Sequence, residues 1–135
     1  MWFLFGWGPT PLVWGCKKQK CVALSTAEAE YIAASLAVQE LLYLRNVLRG
    51  VGIEVRTPVC VREDNQACLR IVDNPVLHTR AKHIDLRYHF VSDHVAGGDV
   101  SFKYCPSKDN VADMFTKQFP RDLFVKFRDI VMCRV

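Results

Sequence analysis

The sequence predicts an α/β domain, a sheet covered on its faces by helices, and three observations carry that expectation. The chain opens with two apolar runs around a Gly/Pro-rich turn, GWGPTP, which reads as an antiparallel hairpin. Apolar spacing then switches from helical to alternating and back twice, the strand and helix succession of an α/β sheet. Finally, no internal repeat, low-complexity tract or long linker divides the 135 residues, of which 50% are hydrophobic and 24% charged, so one domain spanning 1–135 with one core is expected.

Trp2 to Phe5 and Leu12 to Trp14 are the hairpin strands, and Cys21 to Leu24 continues the second or adds a third. Ser25-Thr26-Ala27-Glu28 has the form of a capping box. It opens a helix from Thr26 to Arg49, with Tyr31, Ile32, Leu36, Leu41, Leu44, Val47 and Leu48 at helical spacing and Gly50 and Gly52 as the stop. Val59 and Val61 alternate in a strand from Pro58 to Asp64, followed by a short helix from Asn65 to Val72 that Asn74-Pro75 closes. His83 to Ala96 places Ile84, Tyr88, Val91 and Val95 on one helical face before Gly97-Gly98, and this periodicity puts Tyr88 in the core. Val100, Phe102 and Tyr104 alternate as the last strand, ending at Pro106. Lys108 to Lys117 reads as a helix with Asp109 as its N-cap, and after Pro120 a final helix gathers Leu123, Phe124, Phe127, Ile130 and Val131.

The net charge of +4 permits a polyanionic partner without requiring one. The cysteines at 16, 21, 60, 68, 105 and 133 form no CxxC pair, which argues against a zinc ribbon or disulfide framework and for buried free thiols in a reducing compartment. MWFLFGWG has no basic n-region, is broken by glycine and followed by proline, and is far shorter than the roughly 20 residues of a membrane span. The expected location is therefore intracellular, cytoplasmic or nuclear, with no secretion and no membrane partner.

The acids carry the functional signal. Glu28 has the ordinary task of a cap, but Glu30 lies two positions on, about 200° around the helix, and needs another explanation. Asp64 ends a strand, and Asp113 lies early in the helix after the last strand. Each alone reads as solvated surface or a cap. Three acids at element ends can instead converge on one sheet edge, where like charge calls for a cation. Carboxylates with water are the hard oxygen ligands that Mg²⁺ prefers.

The stretches STAEAEYIAAS, EDNQACLRIVDNPVLHTRAKHIDLRYHF and PSKDNVADMFTK, in this order and spacing, resemble the C-terminal ribonuclease H domain of copia-type retrotransposon Pol polyproteins. The resemblance runs from about Leu12 to the C-terminus, and WFLFGWGPTPLVWGCKKQK is similar to that family's second-strand hairpin. It implies a ribonuclease H-like three-layer fold, a mixed sheet with helices on both faces. It also implies Mg²⁺-dependent (or Mn²⁺-dependent) hydrolysis of RNA in RNA/DNA hybrids, with Glu30, Asp64 and Asp113 as catalytic residues and metal ligands. The reverse transcriptase part of the same polyprotein becomes the expected covalent neighbour. The family's fourth acid, a first-strand aspartate in a pattern like YSDADWAGD, has no counterpart here, since no acid precedes Glu28. The expectation is thus an N-terminally truncated fold with the first catalytic strand absent, an incomplete two-metal site and no activity in this chain. The alternative is a decayed, non-enzymatic remnant that at most binds nucleic acid.

Basic residues at a helix entry suit phosphate contacts. The resemblance extends the nucleic-acid-binding set to Asn65, Gln66, His78, Arg80, Lys82, His83, Arg87, Lys108 and Lys117. A zinc site from Cys68, His78, His83 and His89 fits no structural spacing, because His83 and His89 are about 240° apart on a helix.

Overall fold

Short-range signals in the sequence become four helices, two short sheets and two 3₁₀ turns in the computed structural model, which describes residues 2–8, 10–16, 18, 22–74, 82–115 and 117–133. The architecture is mixed α/β. The elements fall into two compact units, Cys21–Cys105 and Met1–Lys20 together with Pro106–Val135.

In the unit Cys21–Cys105, helix α1 spans Thr26–Gly50 and strand β3 Val59–Glu63. Helix α2 spans Gln66–Asp73, α3 Lys82–Ala96 and strand β4 Val100–Tyr104. β3 and β4 are parallel, in register from Val59↔Val100 to Glu63↔Tyr104, and α2 and α3 lie within the crossover that parallel strands require. The core joins Tyr31 and Ala34 of α1, Cys68, Ile71 and Val72 of α2, and Tyr88 and Val91 of α3, with Phe102 of β4 packed against it. The rings of Tyr31 and Tyr88 stack with centroids 4.3 Å apart, as the periodicity of Tyr88 predicts. The Tyr31 hydroxyl donates to the Tyr88 carbonyl at 3.4 Å, and burial pushes its pKa well above the usual tyrosine value.

The helix start is capped from both sides, although the Glu28 side chain reaches Leu24 in place of the Ser25 N–H of a standard capping box. Ser25 Oγ accepts from the Glu28 N–H at 3.1 Å, and Glu28 Oε2 accepts from the Leu24 N–H at 2.6 Å. That bond also corrects the expected strand from Cys21 to Leu24. Val22, Ala23 and Leu24 are not strand, because the Leu24 N–H that a ladder would use is committed to the helix start; Cys21 lies outside the described residues. At the far end of α3, Gly98 adopts φ +73°, a conformation glycine enters without steric penalty, and turns the chain into β4.

The second unit holds β1 (Trp2–Trp7) and β2 (Thr10–Cys16), antiparallel and longer than expected, with an irregularity between Phe5 and Gly6. The Phe3 ring lies so close over Gly15 that a Cβ there would meet it at 2.6 Å. Helix α4 spans Arg121–Val131 and buries Phe127, edge-on to Phe119 at 5.4 Å. Its expected face narrows: Leu123, Phe127 and Val131, at steps of four, are sheltered, whereas Phe124 and Ile130 are exposed.

Further expectations are corrected. In place of one helix from Lys108 to Lys117, the described residues form two 3₁₀ turns, Ser107–Asp109 and Val111–Phe115, and Thr116 lies outside the described residues. Asn110 separates the turns in an extended conformation, and Asn110 Oδ1 accepts from the Ala112 N–H at 3.3 Å. Asn110 therefore does the capping assigned to Asp109, whose carboxylate accepts from Lys126 Nζ at 3.3 Å. In place of one mixed sheet, the described strands form one antiparallel and one parallel pair. Within the unit Cys21–Cys105 the helices pack on the Phe102 face of the parallel pair, and Cys60, Arg62 and Lys103 are exposed. Among the described cysteines, Cys68 and Cys105 are buried free thiols as expected, but Cys16, Cys60 and Cys133 are exposed, the first two at outward positions of their strands. No helix of the described residues is long and apolar enough to cross a membrane.

Candidate active site

At the carboxyl end of β3 the chain turns from strand to helix within three residues, and its own polar side chains build that turn. Glu63 Oε1 accepts from the Asn65 N–H at 3.0 Å. Asn65 Oδ1 in turn accepts from the N–H groups of Ala67 and Cys68, at 2.9 and 3.1 Å, and so caps α2. Asp64 sits between these two anchoring residues, half-buried.

The first turn of α2 carries Cys68 into the core, fully buried. Burial is the largest influence raising its thiol pKa, and the negative charges of Glu63, Glu30 and Asp64 raise it further. Glu30 of α1 and Asp64 after β3 therefore bear on the same buried sulfur, although 34 positions separate them in the sequence. Glu28, two residues from Glu30, is spent on its own helix start.

Asp113 lies in the other unit, on the turn Val111–Phe115 rather than in the α-helix the sequence predicts. Its carboxylate, 13% exposed, accepts from Lys117 Nζ at 2.6 Å and from Asn110 Nδ2 at 3.4 Å. The i→i+4 placement of Lys117 keeps this anion locally neutralised.

The carboxylates of Glu30 and Asp64 are of the donor type a hard cation takes. Both offer carboxylate oxygens, and the raised pKa of Cys68 keeps its sulfur protonated and out of the donor set, since the thiolate is the form that binds metals. Mg²⁺ retains several waters and needs only one or two carboxylates. Within either unit, no three His, Cys, Asp or Glu side chains among the described residues gather as a metal-holding group.

The nucleic-acid candidates have diverse surroundings. Asn65 is the α2 cap, Gln66 is exposed at the first position of that helix, and Lys108 is exposed. Arg87 is half-buried, with Nη1 donating to the buried Ser35 hydroxyl of α1 at 3.5 Å. Lys117 is engaged with Asp113. His78 and Arg80 lie outside the described residues, and Lys82 and His83 belong to α3 with side chains outside the described set. Sequence reasoning missed Cys68 as the group the acids share. The signal was its place four residues after Asp64, on the buried side of α2.

The chain's homologues are retrovirus-related Pol polyproteins of plant retrotransposons. It is 37% identical over 129 residues to the retrovirus-related Pol polyprotein from transposon TNT 1-94 of Nicotiana tabacum, a match covering 96% of this chain and 10% of that protein. It is 36% identical over 120 residues to the corresponding polyprotein from transposon RE2 of Arabidopsis thaliana, and 34% identical over 120 residues to that from transposon RE1 of the same plant. Each of these covers 89% of this chain and 8% of the relative. The chain thus spans about a tenth of the length of the curated relatives it matches. No family model and no solved structure matches it.

Proposed function

We propose that this chain is the ribonuclease H-like part of a copia-type retrotransposon Pol polyprotein, with Glu30, Asp64 and Asp113 as its catalytic carboxylates and RNA/DNA hybrid as its substrate. The observation that carries the reading is the similarity to retrovirus-related Pol polyproteins, 37% identical over 129 residues in the tobacco relative, and within the long helix Glu28 is committed to a cap, which leaves Glu30 as the candidate acid. Mg²⁺, or Mn²⁺, when bound would activate water and stabilise the leaving oxygen of the cleaved RNA strand. Glu30 and Asp64 would hold that ion, with Asp113 as the further ligand. The Glu63 and Asn65 hydrogen bonds keep Asp64 on a fixed turn, which spares the reorganisation that a mobile carboxylate would require. Residues His78, Arg80, Lys82, His83 and Arg87 would supply phosphate contacts, with the reverse transcriptase part of the polyprotein as covalent neighbour.

One observation favours the non-enzymatic reading for these 135 residues alone: no acid precedes Glu28 to act as the fourth carboxylate. Without an aspartate bridging two ions about 3.5–4 Å apart, water and leaving oxygen are not aligned. The deciding experiment compares Mg²⁺- or Mn²⁺-dependent hybrid cleavage by this chain with cleavage by the chain extended upstream by a strand bearing that aspartate. The expected result is no cleavage above background by the first and cleavage by the second, abolished again by Glu30→Gln. Robust cleavage by the unextended chain would overturn the inactive reading, and cleavage by the Glu30→Gln variant would overturn the site.

A further inference from the structure

The parallel pair β3–β4 has one face in the core and one in solvent, and the solvent face has an unusual charge arrangement. The pairing register sets Arg62 directly beside Lys103, on strands about 4.8 Å apart. Both side chains are exposed, and neither forms a hydrogen bond or ion pair with another described residue. Their neighbours on this face, Cys60 beside Ser101, carry no negative charge. Like charges directly opposite destabilise a strand pair, whereas an opposite-charge pair there would stabilise it. Asp64 follows Arg62 by two residues, roughly 7 Å of extended chain.

We infer that Arg62 and Lys103 form a phosphate clamp on the exposed face of β3–β4, binding one backbone phosphate of a nucleic acid duplex beside the Asp64 end of the sheet. The inference deepens the proposed function and rests on its reading of RNA/DNA hybrid as the ligand. Two cations at paired positions converge on one phosphate more readily than on two, because their separation is that of neighbouring strands. The contact reads charge and not base identity, so it positions the duplex without selecting sequence.

The test measures binding of a short RNA/DNA hybrid to this chain by fluorescence anisotropy across a salt series, for the wild type, R62Q, K103Q and the double variant. In the double variant the slope of log K against log salt should fall by about 0.9, the loss of one neutralised phosphate. Each single variant should lose less, since the remaining cation still holds the same phosphate. The reduction should be the same for hybrids of unrelated sequence, and the variants' unfolding midpoints should equal or exceed the wild type's, because the like-charge contact is relieved. An unchanged slope in a double variant that still binds hybrid would overturn the clamp and leave the proposed function standing. Wild-type chain that binds no hybrid at low salt would overturn both. Binding of poly-glutamate with the same dependence on Arg62 and Lys103 would instead assign the face to an acidic protein segment.

Discussion

The two ends of the β3–β4 pair treat negative charge in opposite ways. At the amino end, Asp99 is answered on both oxygens: Arg45 Nη1 of α1 donates to Oδ1 at 2.6 Å, and His94 Nδ1 of α3 to Oδ2 at 2.7 Å. The Asp99 backbone is committed as well, its N–H to the His94 carbonyl at 2.9 Å and its carbonyl to the Val59 N–H at 3.0 Å. At the carboxyl end, burial first, and then the charges of Glu63, Glu30 and Asp64, push the Cys68 thiol pKa up. One end lowers a carboxyl pKa and the other raises a thiol pKa, across strands only five residues long. The first arrangement stabilises the fold. The second keeps the Cys68 thiol neutral at physiological pH, as it also is in the unfolded chain, so it neither adds nor removes stability there, and shifted groups of this kind mark candidate functional sites.

The comparison requires that both ends stand on one core, which gives the largest expected effect. Tyr88→Ala removes a ring that is 3% exposed and stacked on Tyr31. It should destabilise the chain by about 3–5 kcal/mol, the range for deleting a buried aromatic ring. Urea unfolding followed by circular dichroism measures this. A loss below about 1 kcal/mol would mean that the two ends are supported separately.

Next in size is the functional contrast. In the upstream-extended protein, Asp64→Asn should lower hybrid cleavage by a factor of about 100 or more, as misplacing catalytic groups does. Asp99→Asn should leave cleavage by the folded protein within a few-fold. Equal losses from the two variants, with folding intact by circular dichroism, would erase the division of labour between the ends.

The sequence made the carboxyl end more legible than the amino end, for a physical reason. Capping residues, strand alternation and the glycine stops are local signals, so α1, β3, α2, α3 and β4 could be read with small boundary errors. Asp64 and Glu30 were recognisable because each sits at an element end next to a short-range motif. The Asp99 cluster was not, since Arg45 is 54 positions away and nothing local marks the pair. The error at Asp109 has a related origin: Asp and Asn are equally good caps. The segment's break at Asn110 depends on packing that the spacing of apolar residues does not encode.

The Asp99 cluster predicts a smaller, pH-dependent effect. The His94 hydrogen bond, then the Arg45 hydrogen bond, hold the Asp99 carboxyl below its ordinary pKa. An acid whose folded pKa is depressed contributes stability above its unfolded value, about 3.9 for aspartate, and loses it as pH falls through the folded value. The wild type should therefore show a steeper loss of stability below about pH 4 than Asp99→Asn. At neutral pH that variant should be less stable by about 1 kcal/mol, a modest figure because all three side chains are a quarter or more exposed. Unfolding midpoints between pH 3 and 7 measure both quantities, and parallel curves for the two proteins would remove Asp99 as the stabilising end's acid.

The smallest effect separates two glutamates two residues apart. Glu28 is nearly buried and accepts the Leu24 N–H at 2.6 Å, while its own N–H donates to Ser25, so its carboxylate completes the start of α1. Glu28→Ala leaves the Leu24 donor without that acceptor and should cost about 0.5–1 kcal/mol, the lower part of the range for a lost helix cap. Cleavage by the folded, extended protein should stay within a few-fold, because holding the metal ion is assigned to Glu30 and not to the cap. Glu30→Ala should reverse the pattern, removing cleavage. Denaturant unfolding and hybrid cleavage measured on the same two preparations test the pair together. Should Glu28→Ala abolish cleavage with the fold intact, Glu28 would have a role beyond its cap, and the assignment of catalytic charge to Glu30 alone on this helix would have to be abandoned.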